Sequence, residues 1–485
     1  MQKMINKVLD KYRKIPIQAK ASMWFVVCSI LQRGISFITV PIFTRLMTTE
    51  QYGYYSTYIS WYSVLIVFTS LNLYYGVFNN AMVKFENDRD SYISSQQGLV
   101  TVITFGFFLF YLIFRDDCNH FLGMSTPLVL MLFVELLVTP ALQFWTVRNR
   151  FDYKYKSIVS VTLIKSLLNP VVGVVFVLLS EHKDVARIIS TVLVEVIVCG
   201  TIAIYQFSKG RRFFDKHYWK YAVAFNIPLI PHYLSGTILN QADRIMISNL
   251  VGSSAVAFYS VAYNLAQVMN MFTTAIASSF TPWVYRKLQK KESEEIAPIV
   301  NMLLLLMFGF LSILMFLAPE ALLIIGGREY AEAVYVIPPI AASVFFIFQY
   351  NLFSNIEFFF SERRYVLIGS IAASVLNVIL NGIFIPKFGY YAAGYTTLFC
   401  YIIYGLSHIW FSKRVIRKNG LNDKIYNEKI ILAMSLLIIT LAIVQNFLYK
   451  HTLVRYIIVC SIFVFATIKR KSIIEIIKNI RKKEV

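Results

Sequence analysis

Apolar residues run along this chain in long blocks separated by short polar segments. Fourteen blocks stand out, at about 21–43, 54–78, 95–114, 125–147, 157–180, 185–207, 219–247, 254–279, 297–318, 331–355, 364–385, 390–412, 428–448 and 452–468. A helix needs about 20 apolar residues to cross the hydrocarbon core of a bilayer, and only the last block is notably short. Backbone groups in lipid must bond one another, which blocks of this length achieve as helices and not as barrel strands. The pattern therefore predicts an all-α polytopic membrane protein of about 14 transmembrane helices. No A-x-A cleavage site follows the first block, so it reads as a retained span.

The polar segments give the orientation. With the N-terminus inside, the inner segments carry 36 of the 47 Lys and Arg residues and the outer loops nine, leaving Arg33 and Lys165 within spans. Cytoplasmic loops hold the excess of basic residues, so both termini are expected in the cytoplasm. The spans also repeat. Blocks 1 to 6 and blocks 7 to 12 begin at an offset close to 204 residues, and Ser166-Leu167-Leu168-Asn169 recurs as Ser374-Val375-Leu376-Asn377. An even number of spans per repeat gives both halves the same orientation, as in transporters built from parallel repeats around a cavity. The expected organisation is a basic N-terminal segment (1–20), two six-helix lobes (21–212 and 213–412), a linker (413–427), two extra C-terminal helices (428–468) and a basic tail (469–485).

Composition narrows the function. Of 485 residues, 57% are hydrophobic and 15% charged, against about 25% charged in soluble domains. The net charge of +21 sits in clusters between spans, which is explained by topology and not by nucleic acid. Four of the five cysteines lie inside apolar blocks and none forms a C-x-x-C pair, so neither a disulfide framework nor a metal site is expected. No P-loop, HExxH or GxSxG motif occurs. Loops of at most about 20 residues leave no room for a soluble catalytic domain. A transporter is expected, not an enzyme, and no cofactor is implied.

Ionisable groups inside a membrane cost about 2.5–3.5 kcal/mol each at the bilayer centre and need a reason. Arg33, flanked by Gln32 and Gly34, lies about 12 residues into span 1, roughly 18 Å deep at 1.5 Å per residue. It is read as a cavity cation for substrate, with a structural ion pair as the alternative. Lys165 in span 5 either snorkels to the interface or joins Arg33. Glu135 in span 4 and Glu195 in span 6 serve as counter-ions or as proton carriers. Asp243-Arg244, at the outer end of span 7 where both reach water, reads as a gate, a local salt bridge or a substrate contact. Asn240 and His232 are further polar candidates, His232 facing the cavity or simply bonding a neighbour. Pro228 and Pro231 remove helix hydrogen bonds and mark a hinge in span 7. The aromatic run Tyr52, Tyr54, Tyr55, Tyr58, Trp61 and Tyr62 reads as an interfacial belt, with sugar stacking as the sharper alternative.

The stretch from Val40 to Tyr55, VPIFTRLMTTEQYGYY, resembles the P-x-x-T-R-x-L-x-x-x-x-Y-G end of span 1 in bacterial lipid-linked oligosaccharide flippases. Ile227-Pro228-Leu229-Ile230-Pro231-His232, Asp243-Arg244 and Tyr259-Ser260-Val261-Ala262-Tyr263 resemble their seventh and eighth spans. These are the Wzx-type O-antigen and capsule flippases, the polysaccharide transporter family of the multidrug/oligosaccharidyl-lipid/polysaccharide exporter superfamily. The resemblance implies a bacterial cell-membrane protein with two lobes around a cationic cavity open to one side at a time. It implies a polyprenyl-diphosphate-linked glycan as substrate, membrane lipid as surroundings and other polysaccharide-assembly membrane proteins as partners. By the same resemblance, spans 13 and 14 offer a groove for the lipid tail. A cation-coupled multidrug exporter of the same superfamily is the alternative, and a membrane polymerase or ligase a weaker one.

Overall fold

The computed structural model describes residues 15–420 and 425–468. Most of the basic N-terminal segment, the whole basic tail and part of the linker lie outside the described residues. Among the described residues the chain is helical, with no strand. The helices are α1 (Ile17–Leu46), α2 (Thr49–Ser70), α3 (Val77–Lys84), α4 (Arg89–Ile113), α5 (Arg115–Leu122), α6 (Thr126–Phe151), α7 (Tyr155–Leu178), α8 (Lys183–Glu195), α9 (Thr201–Gly210) and α10 (Lys216–Asn226). There follow α11 (Ile230–Leu250), α12 (Ser253–Gln267), α13 (Asn270–Gln289), α14 (Ile296–Phe316), α15 (Ala318–Ile325), α16 (Ile337–Phe359), α17 (Arg363–Phe388), α18 (Tyr390–Lys418), α19 (Glu428–Leu448) and α20 (Thr452–Ile468). Among the described residues ten helical stretches are long and apolar enough to cross a membrane. Each of the fourteen apolar blocks is mostly helix, and the multi-pass all-α reading holds.

Contacts divide the chain into two units, Met1–Ser260 with Ser370–Ala393, and Val261–Gly369 with Gly394–Val485. In the first unit α1 packs along α7, α7 along α8, and α2 against α8 and α11. The start of α2 shows why. Thr48 accepts a bond from Gln51 N at 3.2 Å while Gln51 Oε1 accepts from Thr48 N at 3.0 Å, a capping box that satisfies two orphan donors. One turn on, a Cβ at Gly53 would lie 1.7 Å from Ser253 O. Only glycine lets α2 cross the start of α12 so closely, which gives the Tyr52-Gly53 pair its physical reason.

Three stretches depart from regular helix. The second apolar block continues to residue 78, but its helix stops at Ser70, where Leu71 and Asn72 both take φ of +48°. Asn226, fully buried at the end of α10, donates to Leu71 O (2.8 Å) and Asn72 O (2.9 Å). The break is thus satisfied by an amide from span 7. The second irregularity is a π-helical turn, Val196–Gly200, directly after Glu195. The third is a 3₁₀ turn, Ile227–Leu229, which separates α10 from α11 at Pro228 and Pro231, where the two prolines predict a bend.

The aromatic run on α2 is largely not a belt. Tyr58 is fully buried and Tyr52 and Trp61 nearly so. Trp61 packs on Phe121 at 5.1 Å between centroids, within a core that includes Leu132, Leu136, Ile188 and Val192. Burial wins here because α2 packs against α8 and α11 and so lies inside its unit.

In the second unit α16 is the central helix, buried over most of its length against α13, α14 and α19. Gln349 on α16 donates to Ser435 on α19 at 2.7 Å. Arg455 on α20 is 2% exposed and grips Glu320 through both nitrogens, at 2.9 and 3.0 Å. The sequence reading counted Arg455 among the outer-loop cations, but it instead anchors the last helix.

Candidate functional site

The site is built on the packing of α1, α7 and α8 in the first unit. Gln32 Nε2 on α1 donates to Ser166 Oγ on α7 at 3.3 Å, and one turn away Cys28 Sγ meets Thr162 Oγ1 at 3.1 Å. These two contacts fix the register of the helices. They bring Arg33 and Lys165 to one level, as each adjoins a member of the Gln32–Ser166 pair. From there the cations diverge. Lys165 Nζ meets Glu195 Oε1 at 2.7 Å, in a pair whose side chains are 21% and 10% exposed. Glu195 also accepts from Cys199 Sγ at 3.1 Å across the π turn. A π turn widens the helix by one residue and is often found at functional positions; here it lets Cys199 cap the carboxylate that holds Lys165.

Arg33 is exposed and has neither a hydrogen bond nor an ion pair among the described residues. Glu135 is not its counter-ion. That carboxylate is 3% exposed and accepts from Tyr58 Oη at 2.9 Å, within electrostatic reach of Glu195 and Lys165. Arg33 therefore offers a whole guanidinium, five donors in a planar fork, to whatever meets this face of α1.

A second cation was missed in the sequence because it stands on the first turn of span 6, where it counted as part of an outer loop. Arg187 is 3% exposed. Its Nη2 donates to Asn169 Oδ1 at 2.7 Å, and its guanidinium lies 4.2 Å from the Phe43 ring centroid and 5.0 Å from that of Tyr55. Gly173 makes room for it: a Cβ there would lie 2.4 Å from Nη1 and 2.8 Å from Phe43. The sequence signals were Phe43 in the span 1 motif and Asn169 in the repeated Ser-Leu-Leu-Asn.

The remaining candidates fall elsewhere in the unit. Asp243 and Arg244 do not reach water. Asp243 is fully buried, accepts from Tyr259 Oη and receives Asn381 Nδ2 at 2.6 Å, and Asn381 in turn bonds Asn377 at 3.2 Å. Arg244 is 7% exposed and donates to Ser260 Oγ (3.0 Å) and Asn240 O (2.8 Å). Tyr259 meets both residues, donating to Asp243 and presenting its ring 5.9 Å from the Arg244 guanidinium. Burial prevails because α11 lies against α2, with Gln241 accepting from Ser60 Oγ at 3.1 Å. Asn240 is exposed and its side chain turns back to Gly236 O at 2.7 Å. His232, half-buried, places Nδ1 3.2 Å from Ser370 Oγ. Among the described residues no cluster of His, Cys, Asp and Glu is arranged to hold a metal.

Comparison with known proteins identifies the family. The family described as polysaccharide biosynthesis protein matches residues 19–288, and the MatE family matches residues 228–383. A low-salt glycan biosynthesis flippase assignment, Agl15 of Haloferax volcanii, belongs to a relative 21% identical over 404 residues, covering 80% of this chain and 82% of that protein. A product of the Lsg locus of Haemophilus influenzae is 22% identical over 375 residues, covering 74% and 89%. Among solved structures, the lipid II flippase MurJ in an inward closed conformation superposes with a TM-score of 0.68 at 14% identity, covering 93% of this chain and all of that one. An inward-facing multidrug transporter of the MATE family superposes with a TM-score of 0.59 at 12% identity, covering 83% and 98%. With more than half its length matched, the chain belongs to the polysaccharide biosynthesis protein family.

Proposed function

We propose that this protein is a flippase that moves a polyprenyl-diphosphate-linked oligosaccharide from the cytoplasmic to the outer leaflet of a bacterial cell membrane, for assembly of a surface polysaccharide. The observation that carries the reading is Arg33. A guanidinium deep in a span, exposed and without a partner among the described residues, is costly unless a ligand meets it. A diphosphate is that ligand: two anionic groups with acceptor oxygens spaced for bidentate donation. The rest of the substrate suits the surroundings, since the exposed amide-bearing Asn240 favours a glycan and a lipid-exposed α1 lets the polyprenyl chain stay in the bilayer.

In this reading Arg33 binds, with Gln32 beside it, while Lys165 is held by Glu195. Glu195 and Glu135 hold Lys165 and Tyr58 in place, and the 3₁₀ turn at Pro228 and Pro231 is the hinge of an alternating-access cycle. Asp243, Arg244 and His232 brace α11 as it moves. The buried carboxylates and the MatE match favour, as a second reading, a cation-coupled exporter of hydrophobic cations, for which Arg33 would be a repulsive element. The test is a deletion strain. Inner-leaflet accumulation of a lipid-linked repeat unit, relieved by the wild-type gene, is expected; a strain with normal surface polysaccharide and raised sensitivity to cationic dyes would reverse the choice.

A further inference from the structure

The second unit buries an acid–base pair for which the substrate site has no use. Glu357, near the end of α16, and His408, in the middle of α18, meet at 2.7 Å from Oε1 to Nδ1, and both side chains are fully buried. Glu357 Oε2 and His408 Nε2 are also buried and find no hydrogen-bond partner among the described residues. The walls are aromatic: the rings of Tyr350, Tyr404 and Phe411 lie 4.7, 4.9 and 5.5 Å from the imidazole. On the side of Nε2, Gly369 leaves space, because a Cβ there would come within 3.1 Å of that nitrogen.

The charged residues of the neighbouring helices stand near the helix ends. Tyr350 on α16 and Tyr404 on α18 touch the imidazole, Tyr401 and Tyr365 pack on Tyr404 and Phe411 of its wall, and Tyr426 and Tyr285 meet Phe353 and Phe359 of α16. α14 carries no titratable residue. Among the charges at this end of the bundle, Glu362 pairs with Lys418 and Arg364, Lys413 with Glu428, and Lys287 with Glu292 and Glu295; Arg286, Lys290 and Lys291 at the end of α13, Arg363 on α17, Arg414 and Arg417 on α18 and Lys429 on α19 stand there as well. Those on the 3₁₀ segment Arg328–Val336 lie at the other end of α16.

We propose that Glu357 and His408 form a proton-binding site, loaded with one proton while packed and emptied when water reaches it, so that proton movement is linked to the transport cycle. With a carboxylate and a neutral imidazole, the buried pair holds one uncompensated negative charge, which is expensive in this surrounding. A proton from water, taken onto the imidazole lone pair, makes an imidazolium–carboxylate pair of zero net charge. Release returns that proton to water and leaves the lone pair on nitrogen, and it requires the aromatic wall to open. A buried pair with such a charge balance is a one-proton store whose occupancy follows the packing of α16, α17 and α18. This rests on the transporter reading for its purpose but not for its existence.

The test has two arms. Histidine-15N-labelled protein in nanodiscs at neutral pH is expected to show one imidazole with both nitrogens protonated; the signal disappears in His408→Gln and becomes a neutral ring in Glu357→Gln. In proteoliposomes with no membrane potential, a one-unit pH gradient stores about 1.4 kcal/mol per proton. It should therefore shift the distribution of lipid-linked glycan about tenfold in wild type and not at all in either variant. A neutral His408 in wild type, or a gradient response that survives in both variants, overturns the proposal. Glu357→Asp keeps the carboxylate and must keep both signals, which decides the matter if the Gln variants fail to assemble. Wild-type protein that flips no glycan under any gradient refutes the proposed substrate and leaves the nitrogen spectrum to judge the site.

Discussion

Replacing Lys165 by Met removes the cation that stands between two buried carboxylates. Its partner Glu195 lies 2.7 Å away and is 10% exposed at the side chain, and Glu135 is close enough for the two acids to repel. Removing one member of a buried pair costs about 3–5 kcal/mol, because the other charge stays behind. Lys165→Met should sit at the upper end of that range, since the charge left over faces a second carboxylate and keeps only Cys199 Sγ as a donor. Glu195→Gln should sit at the lower end, as Lys165 is twice as exposed and can extend its stem towards water. The double variant Lys165→Met/Glu195→Gln leaves no stranded ion and should return to within about 1 kcal/mol of wild type. Denaturant unfolding in mixed micelles, followed by tryptophan fluorescence, measures all four proteins. The same double variant should still flip its substrate, because Arg33 is the cation presented for binding. Additive losses in the cycle would refute the ion-pair argument. A stable double variant without transport would move Lys165 into the binding site.

Other consequences follow from single contacts. Gly173→Ala places a methyl 2.4 Å from the Arg187 guanidinium and 2.8 Å from Phe43. It should destabilise the protein by about 1–3 kcal/mol as an overpacked site, read in the same unfolding assay. Asn226→Ala leaves the carbonyls of Leu71 and Asn72 without their buried donor; the expected loss is about 1–3 kcal/mol, with faster hydrogen exchange confined to residues 71–77. Outward movement of a diphosphate carries negative charge down the membrane potential, worth about 2.3 kcal/mol per charge per 100 mV. Flipping in proteoliposomes should therefore respond to a potassium–valinomycin potential, and unchanged rates on inverting it would remove the electrical contribution.

The fourteen spans were legible because hydropathy registers membrane depth directly. Where a helix stops inside an apolar block was not, because the break at Leu71 and Asn72 is closed by Asn226, more than 150 residues away. The aromatic run on α2 misled for a related reason: tyrosines suit an interface and a core equally, and only the packing of α2 on α8 and α11 chooses between them. Lys165 and Glu195 were readable as partners from their unusual depth. Arg187, Arg455 and Glu357 were not, since each stands within a few residues of a span end, where a charge normally reaches water. Their burial arises from short outer helices, from aromatic cradles and from a central α16, all tertiary features. Asp243 and Arg244 were misjudged in the same way: placed at a span end where water is expected, both are buried because α11 lies against α2.

The central claim is that Arg33 binds the diphosphate of a lipid-linked glycan. Purified protein is reconstituted with a fluorescent polyprenyl-diphosphate oligosaccharide, and flipping is scored by loss of access to a quencher, comparing wild type with Arg33→Ala and Arg33→Lys. Arg33 has neither a hydrogen bond nor an ion pair with another described residue, so both variants should assemble as wild type does. The account predicts that Arg33→Ala abolishes flipping and that Arg33→Lys retains a fraction, charge surviving without the bidentate fork. Flipping by Arg33→Ala at the wild-type rate would contradict it.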